Sequence, residues 1–301
     1  MTGSGSAAGF GLLAATTWSG SDFVGGIGAR RSPALLVVAS GQILSLFLLL
    51  ALCGGLHAAL PGYAPLLYSA VGGFEGALSL AMFYRALAMG AMGLTAALTG
   101  LLTALVPVLF SLIHEGLPTP LACLGLALGL VAIWLITHTP AAKGAGLVGA
   151  ATLPLSTLRT DTPGQGAPRL PLLLGSLAGI GFGAQLILLK MAGGGGVLWI
   201  MTSTRAAGVL ALAIVLAVMP PKAPWRGFWL TGILAGSLDT VGNLFYIQAT
   251  RVGRLDVAAI VCSMYPAGTI LLAAIVLREW PTARQLMGMA LALGAVALLS
   301  V

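Results

Sequence analysis

The stretch PALLVVASGQILSLFLLLALCG, residues 33–54, contains no charged side chain over a length that matches a bilayer crossing. A helix needs about 20 apolar residues to span the hydrocarbon core of a membrane. This stretch therefore predicts a transmembrane helix, and it decides the class of the fold. Further apolar stretches of similar length predict nine more, at 7–27, 64–86, 91–112, 118–137, 170–191, 196–219, 227–249, 255–277 and 283–300.

The composition of the whole chain agrees with a membrane protein. Of 301 residues, 58% are hydrophobic and 7% are charged, and the mean hydropathy is +1.05. A soluble domain carries about 25% charged residues, so this chain cannot cover itself with a water-facing surface. The net charge of +7 does not indicate nucleic-acid binding, because the basic residues stand singly or in pairs between apolar stretches, where they anchor helix ends at lipid headgroups.

One long connection divides the ten predicted helices into two groups of five. Residues 138–169 are rich in Gly, Pro, Ala and Thr and lack a strong apolar period, which is typical of a linker. We therefore predict a first five-helix unit at 1–137, the linker at 138–169, and a second five-helix unit at 170–301. The chain begins without the basic region of a signal peptide, so the first helix is expected to stay in the mature protein.

The two units carry similar sequence. MFYRALAMGAMGLTAALTG, 82–100, resembles LFYIQATRVGRLDVAAIVCS, 244–263, and HEGLPTPLACLGLALGLVAIWLI, 114–136, resembles REWPTARQLMGMALALGAVALLS, 278–300. Because five helices is an odd number, two such units in one chain must insert with opposite orientations. This is the inverted repeat of many secondary transporters, whose solute site lies near the membrane midplane between the repeats.

Three short motifs resemble the drug/metabolite transporter (DMT) superfamily, EamA-type. They are WSGSDF at 18–23, YRAL at 84–87, and the stretch from Pro266 to Glu279; the first half departs from the third motif, with Leu102 in place of the proline. The resemblance implies an all-α integral membrane fold in which ten transmembrane helices form two inverted five-helix repeats around a central cavity. It also implies transport by alternating access. Members of the family export amino acids, nucleotides, drugs or other metabolites, and some import them.

Ionisable side chains inside the predicted helices indicate a functional site, because each costs at least about 2.5–3.5 kcal/mol to insert. The candidates are Asp22, Glu75, Arg205 and Asp239. Either they line a wet cavity that binds solute, or the carboxylates bond to neighbouring helices and the arginine is their counter-ion. Uncharged candidates for solute binding, some sharing a helix face with the acids, are Trp18, Gln42, Gln185, Asn243, Tyr246 and Tyr265.

The charge of these groups leads to a hypothesis of proton coupling. Three acids against one arginine leave a formal charge of −2 inside the membrane if all ionise. Because this is costly, either one carboxyl stays protonated or a cation binds. Glu75 and Asp239 are the first candidates for a proton-coupling site. The acidic balance favours a cation or a zwitterion such as an amino acid as solute, although Arg205 would suit a carboxylate instead.

Other charged residues and glycines have structural interpretations. Glu115 and Glu279 each precede a proline and the next predicted helix, where the helix dipole favours a carboxylate. Lys190 lies at a helix end and is expected to extend toward the headgroups. Three GxxxG spacings predict close helix packing and leave a homodimer open: Gly125/Gly129, Gly175/Gly179 and Gly232/Gly236.

Other classes of protein fit the sequence less well. An intramembrane protease would need a GxGD-type aspartate pair, a Ser–His pair or HExxH, and none of these is present. We therefore expect no enzyme, no cofactor and no metal site. A channel shares the polar bundle core, and a drug or cation exporter shares the fold, so both stay open as alternatives.

Localisation in the inner membrane is expected, but the orientation is in conflict. With a cytoplasmic N-terminus, which the family resemblance suggests, the inside loops hold only Lys190, Arg251 and Arg254, whereas the positive-inside rule prefers the opposite. The outside loops would then hold Arg30, Arg31, Arg85, Lys143, Arg159, Arg169, Lys222, Arg226, Arg278 and Arg284. The direction of transport follows from the orientation and stays open with it.

Overall fold

A computed structural model describes residues 3–29, 32–88, 92–137, 169–194, 196–220, 227–277 and 282–299. Every regular element in these ranges is helical, as predicted. The predicted linker falls outside them except for its last residue. The helices are α1 (Gly3–Ala29), α2 (Ala34–Gly55), α3 (Tyr63–Ala88), α4 (Met92–His114), α5 (Pro120–Thr137), α6 (Arg169–Met191), α7 (Val197–Val218), α8 (Phe228–Val252), α9 (Leu255–Cys262), α10 (Tyr265–Leu272) and α11 (Ala283–Leu299).

Four of these helices are long and apolar enough to cross a membrane by length and composition. The qualifying stretches are Leu35–Gly55, Tyr63–Phe83, Leu172–Gly194 and Val197–Val218, and α4, α5 and α11 contain shorter ones. Helices α1 and α8 have 27 and 25 residues but are less apolar, because they carry many of the polar candidate side chains. The protein is therefore a multi-pass helical membrane protein.

The predicted helix at 255–277 is divided in the structure. Helix α9 ends at Cys262, a turn follows, and α10 begins at Tyr265 and continues into a π-helical turn, Ala273–Leu277. Pro266 lacks an N–H group and cannot continue the hydrogen bonding of α9, but it fits the first turn of a new helix. In the sequence this proline was identified only as part of a family motif, and a continuous helix was predicted across it.

The main helix contacts join the part before residue 137 to the part after residue 169. Helix α1 packs along α8, and α3 packs along α6 and α7. Helix α2 contacts α7 and α8, α4 contacts α6, and α5 contacts α11. The two parts of the chain therefore pack against each other along most of their helices. Most candidate side chains lie where helices from both parts meet.

Glycines permit the closest of these contacts. A Cβ on Gly41 would lie 2.8 Å from Cα of Gly236, and one on Gly73 would lie 2.7 Å from Cα of Thr204. Such approaches exclude a side chain, which is the role predicted for GxxxG positions. Gly236, and likewise Gly129 and Gly179 of the other two pairs, contacts helices of its own chain. A homodimer stays a prediction that these glycines do not support.

One end of the bundle carries four of the connections between helices. It contains the loops 56–62, 115–119 and 253–254 and the 3₁₀ turn Ala192–Gly194, and the indole Nε1 of Trp199 in α7 donates a 2.9 Å hydrogen bond to the Ala58 carbonyl across it. We call this region the packed end. Completely buried side chains lie directly beneath it: Leu189, Ile200, Met201, Ile247, Leu255 and Ala258.

Candidate functional site

Arg205 and Asp239 form an ion pair between α7 and α8. The Nη2 atom of Arg205 lies 2.6 Å from Oδ2 of Asp239. The arginine side chain is 7% exposed and the aspartate side chain is 37% exposed. Asn243, one turn along α8, donates through Nδ2 to Oδ1 of Asp239 at 3.2 Å. The pair is a charge-assisted hydrogen bond, so the arginine is a counter-ion to this particular acid.

Asp22 lies on α1, opposite α8, and is exposed. Its charge interacts with that of Asp239, and no cation of the described residues lies within ion-pair distance of it. Two carboxylates and one guanidinium give this region a formal charge of −1. We call Trp18, Asp22, Arg205, Asp239 and Asn243 the acidic site.

Aromatic rings pack on one side of the acidic site. The indole of Trp18 lies 6.0 Å from the ring of Tyr246 and 6.3 Å from that of Tyr265, in tilted and edge-on arrangements. Tyr246 is fully buried, and its hydroxyl donates to the Leu186 carbonyl at 2.8 Å. The structure therefore places Tyr246 in the core as a packing residue, although the sequence analysis had made it a solute-binding candidate.

Glu75 lies apart from the acidic site, between α3 and α6. Its Oε1 accepts a 3.1 Å hydrogen bond from the Ser79 hydroxyl. Its Oε2 is buried and has no hydrogen-bond partner in the described part of the chain. Gly181 of α6 lies directly against this carboxyl, and Gln185 lies against Gly76. We call Glu75, Ser79 and Gln185 the Glu75 site.

Gln42 completes the set of candidates. It lies on α2 against Gly208 of α7, which is one turn beyond Arg205. The structure thus groups the predicted residues at two interfaces rather than one, with the glutamine beside the acidic site. Neither of the two cavities it describes includes a predicted residue; one of about 420 Å³ lies at the packed end, and one of about 80 Å³ lies between α2 and α7.

A charged network at the packed end is not predicted by the sequence analysis. Glu115, in the α4–α5 loop, accepts through Oε1 from the Lys190 ammonium at the end of α6. Its Oε2 accepts from the Ser111 hydroxyl at 2.9 Å and from the Leu255 N–H at 3.1 Å. The carboxylate therefore caps α9, whereas the prediction placed it near the N-terminus of the helix that follows it in sequence. Burial favours its neutral form, but these hydrogen bonds outweigh that effect and lower the pKa of Glu115 below 4.5.

Arg254 and Asp256 extend this network. The guanidinium of Arg254 contacts both carboxylate oxygens of Asp256, the shortest distance being 2.8 Å. It also donates to the carbonyls of Glu115 at 3.0 Å and Gly116 at 2.7 Å. The hydrogen bond with Asp256 raises the pKa of Arg254 further above its usual value. The spacing RLD at 254–256, at the start of a predicted helix, is the signal that would have indicated the pair.

Two other predictions concern Glu279 and metal binding. Glu279, the counterpart of Glu115, lies outside the described residues. In the described ranges, no group of three or more His, Cys, Asp or Glu side chains is arranged to hold a metal ion.

Long apolar helices with charged residues inside them define a multi-pass membrane protein, and comparison with known proteins identifies its type. Residues 169–301 match the EamA-like transporter family. That part of the chain is similar to EamA-like transporter domains, which confirms the resemblance to the drug/metabolite transporter superfamily and suggests a membrane transporter.

The fold likeness extends over the first half as well. A solved structure titled "Crystal structure of protein" has a TM-score of 0.73 at 18% identity, and the match covers 97% of this chain and 96% of that chain. At this identity the likeness shows the fold alone. No curated protein matches the sequence.

Proposed function

We propose that the protein is a secondary transporter that carries a small solute with a protonated amine, such as an amino acid or a related zwitterion or cation, across the inner membrane by alternating access. The observation that carries the proposal is the acidic site. Asp22 and Asp239 interact there, and the cation of the described residues that lies with them, Arg205, is already paired. The site therefore has one more acid than cation among the described residues.

The geometry of Arg205 favours a cationic group over an anionic one. The side chain is buried, and its Nη2 bonds to Asp239. An anion would have to displace this carboxylate while lying close to Asp22, against the repulsion of two like charges. An ammonium group would instead neutralise the exposed Asp22 without breaking the pair, and the adjacent face of Trp18 suits a cation as well.

A zwitterion has additional support from unsatisfied donors. Nε1 of Trp18 and Nε of Arg205 are both buried without a hydrogen-bond partner in the part of the chain that the structure describes. A buried donor without a partner costs about 1–3 kcal/mol. Once the helices move apart, the carboxylate of an amino acid would accept from Nε1 of Trp18, while its ammonium group neutralises the charge of Asp22. We therefore rank amino acids ahead of drug-like cations, which are the alternative solutes for the same fold.

The helix contacts support the proposed ten-helix layout with two inverted repeats at 1–137 and 170–301. If α1 corresponds to α6, α2 to α7 and α3 to α8, each contact has a reciprocal one. Helix α1 packs on α8 as α6 packs on α3, α2 packs on α8 as α7 packs on α3, and α2 and α7 pack on each other. This is the arrangement expected for a two-fold axis between repeats.

Under the same correspondence between helices, the acidic site and the Glu75 site lie at two different but related interfaces. The acidic site lies at the interface of α1 and α8, and the Glu75 site lies at the related interface of α3 and α6. Asp239 has a cationic partner and Glu75 has none among the described residues. An ionised Glu75 would be an uncompensated charge with a buried, unbonded oxygen. We therefore propose Glu75, ahead of Asp239, as the proton-coupling residue.

The experiment is solute uptake into proteoliposomes, with the solutes first selected by a thermal-shift screen of amino acids, amines and nucleotides. Asp22→Asn should abolish uptake of the amine solute, whereas Thr16→Val, on the same helix but exposed and bonded only to its own helix, should leave it unchanged. Glu75→Gln should uncouple uptake from a pH gradient, and Glu75→Asp, which keeps a proton acceptor, should retain coupling. The solute assignment would be wrong if Asp22→Asn transported amines normally.

The channel alternative makes a different prediction. A carrier shows saturable uptake and counterflow, and single-channel currents in planar bilayers would contradict it.

A further inference from the structure

The network at the packed end joins the two halves of the chain through one short loop of the first half. Glu115 is the only acid of the α4–α5 loop, 115–119. It is contacted by Lys190 from the end of α6 and by the backbone of Leu255 from the start of α9. Arg254 contacts the carbonyls of the same loop. Two separate segments of the second half, the end of α6 and the start of α9, therefore hold one loop of the first.

The charges of this network balance. Glu115 and Asp256 provide two negative charges, and Lys190 and Arg254 provide two positive ones. Asp256 is fully buried, and it receives the Val257 N–H at 2.8 Å in addition to the guanidinium. Balanced, hydrogen-bonded charges are stable in a partly buried position, and each partner left alone is not. The network is thus well formed only while the loop stays docked.

The network lies at one end of the pathway along which a solute would cross the membrane. Beneath it lies the completely buried layer of the packed end, while Asp22 of the acidic site is exposed in the last third of α1, away from that end. A solute at the acidic site therefore cannot leave through the packed end in this conformation. Release there requires the α4–α5 loop to separate from α6 and α9.

We propose that Glu115, Lys190, Arg254 and Asp256 form an ionic interlock that keeps the packed end closed, and that its rupture is a step of the transport cycle. The inference rests on the proposed transport function, because an interlock has meaning only if that end opens. Lys190→Gln removes the cation that bridges the α4–α5 loop and α6. Glu115→Gln removes the charge that three donors share. Both should shift the population toward an open packed end.

The expected size of the shift follows from the hydrogen bonds involved. A hydrogen bond to a charged group is stronger than one between neutral groups, and a tenfold change in an equilibrium corresponds to about 1.4 kcal/mol. The two side chains are 25% and 23% exposed, so water screens part of this. We expect each variant to raise the ratio of open to closed molecules about tenfold. Lys190→Arg keeps the charge and should behave as the native protein does.

The measurement is the distance between two spin labels across the interlock, by pulsed electron paramagnetic resonance in nanodiscs. Leu117, 84% exposed, and Met191, 44% exposed, accept labels in a variant without the native cysteines Cys53, Cys123 and Cys262. Support would be a longer-distance population in Lys190→Gln and Glu115→Gln that is absent from Lys190→Arg. Identical distance distributions in all four proteins would overturn the interlock.

This readout separates the interlock from the proposed function. Unchanged distances together with normal amine uptake would overturn the interlock and leave the transport proposal intact. Longer distances in a protein that takes up no amine would support the interlock and contradict the solute assignment. If Glu115→Gln does not fold, the pair Lys190→Gln and Lys190→Arg decides the question alone.

Discussion

Breaking the Arg205–Asp239 pair should have unequal consequences from its two sides, because only one partner can lose its charge. In Arg205→Met, Asp239 stays 37% exposed on its side chain and can bind a proton. In Asp239→Asn, the guanidinium stays in a position where its side chain is 7% exposed, and an arginine cannot be deprotonated in a protein. The asparagine variant should therefore be the less stable of the two.

The expected loss of stability in each variant follows from how deeply the remaining partner is buried. An uncompensated arginine near the centre of a membrane helix costs about 2.5–3.5 kcal/mol on insertion scales. The Asp239→Asn variant should therefore be about 3 kcal/mol less stable than the native protein. The aspartate is more than a third exposed and is screened by water, so Arg205→Met should lose about 1 kcal/mol. The double variant leaves no charge of the pair behind and should lose less than Asp239→Asn alone.

Thermal unfolding in detergent, followed by intrinsic fluorescence, measures this order. For chains somewhat smaller than this one, 1 kcal/mol shifts the midpoint by about 2–4 °C. Asp239→Asn should therefore lower the midpoint by about 6–12 °C and Arg205→Met by about 2–4 °C, with Thr16→Val as the unchanged control. A larger loss in Arg205→Met than in Asp239→Asn, or strictly additive losses in the double variant, would refute the reasoning.

Three further predictions concern packing and pH. Gly41→Ala places a methyl group against the backbone of α8 and should cost about 1–3 kcal/mol of stability, whereas Gly54→Ala, with nothing within 4 Å, should be neutral or slightly stabilising; melting midpoints in detergent compare them. Tyr246→Phe removes a hydrogen bond to a carbonyl of α6 and should lower the stability by about 1 kcal/mol without changing amine uptake at saturation. Because the pKa of Glu115 is lowered in the folded state, its contribution to the interlock is present above the ordinary glutamate pKa and is lost only as the pH falls through the lowered one. The spin-label distances should therefore be constant from neutral pH down to the ordinary glutamate pKa and lengthen only below it. Lengthening above the ordinary glutamate pKa would contradict this. The charged and titratable groups close to that carboxyl are Lys190, Arg254, Asp256, His114 and Tyr246.

The class of the protein could be predicted from the sequence because the signal is local. Whether about 20 consecutive residues are apolar is a property of a single stretch, and residues 33–54 carry it without reference to the rest of the chain. The intramembrane charges are local in the same sense, since Asp22 and Glu75 stand out against apolar neighbours. The EamA resemblance adds order and spacing, and residues 169–301 confirm it.

The partners of those charges could not be predicted, because they are set by contacts distant in sequence. Arg205 had three acids available, and the structure pairs it with Asp239, 34 positions away. Glu115 was assigned to the helix that follows it, yet it caps α9, 140 positions away. Sequence spacing says which residues share a helix face, but not which face of another helix lies opposite.

The sequence alone determined that this chain enters a membrane as helices, which side chains are costly to bury there, and which family its motifs resemble. Only the tertiary structure decided that Tyr246 belongs to the core, that Glu75 stands apart from the acidic site, and that one end of the bundle is held by a balanced charge network. The physical reason is that helix formation in a bilayer depends on the polarity of each stretch, whereas the choice of neighbours depends on shape, and here on how closely backbones approach at glycines such as Gly41 and Gly73.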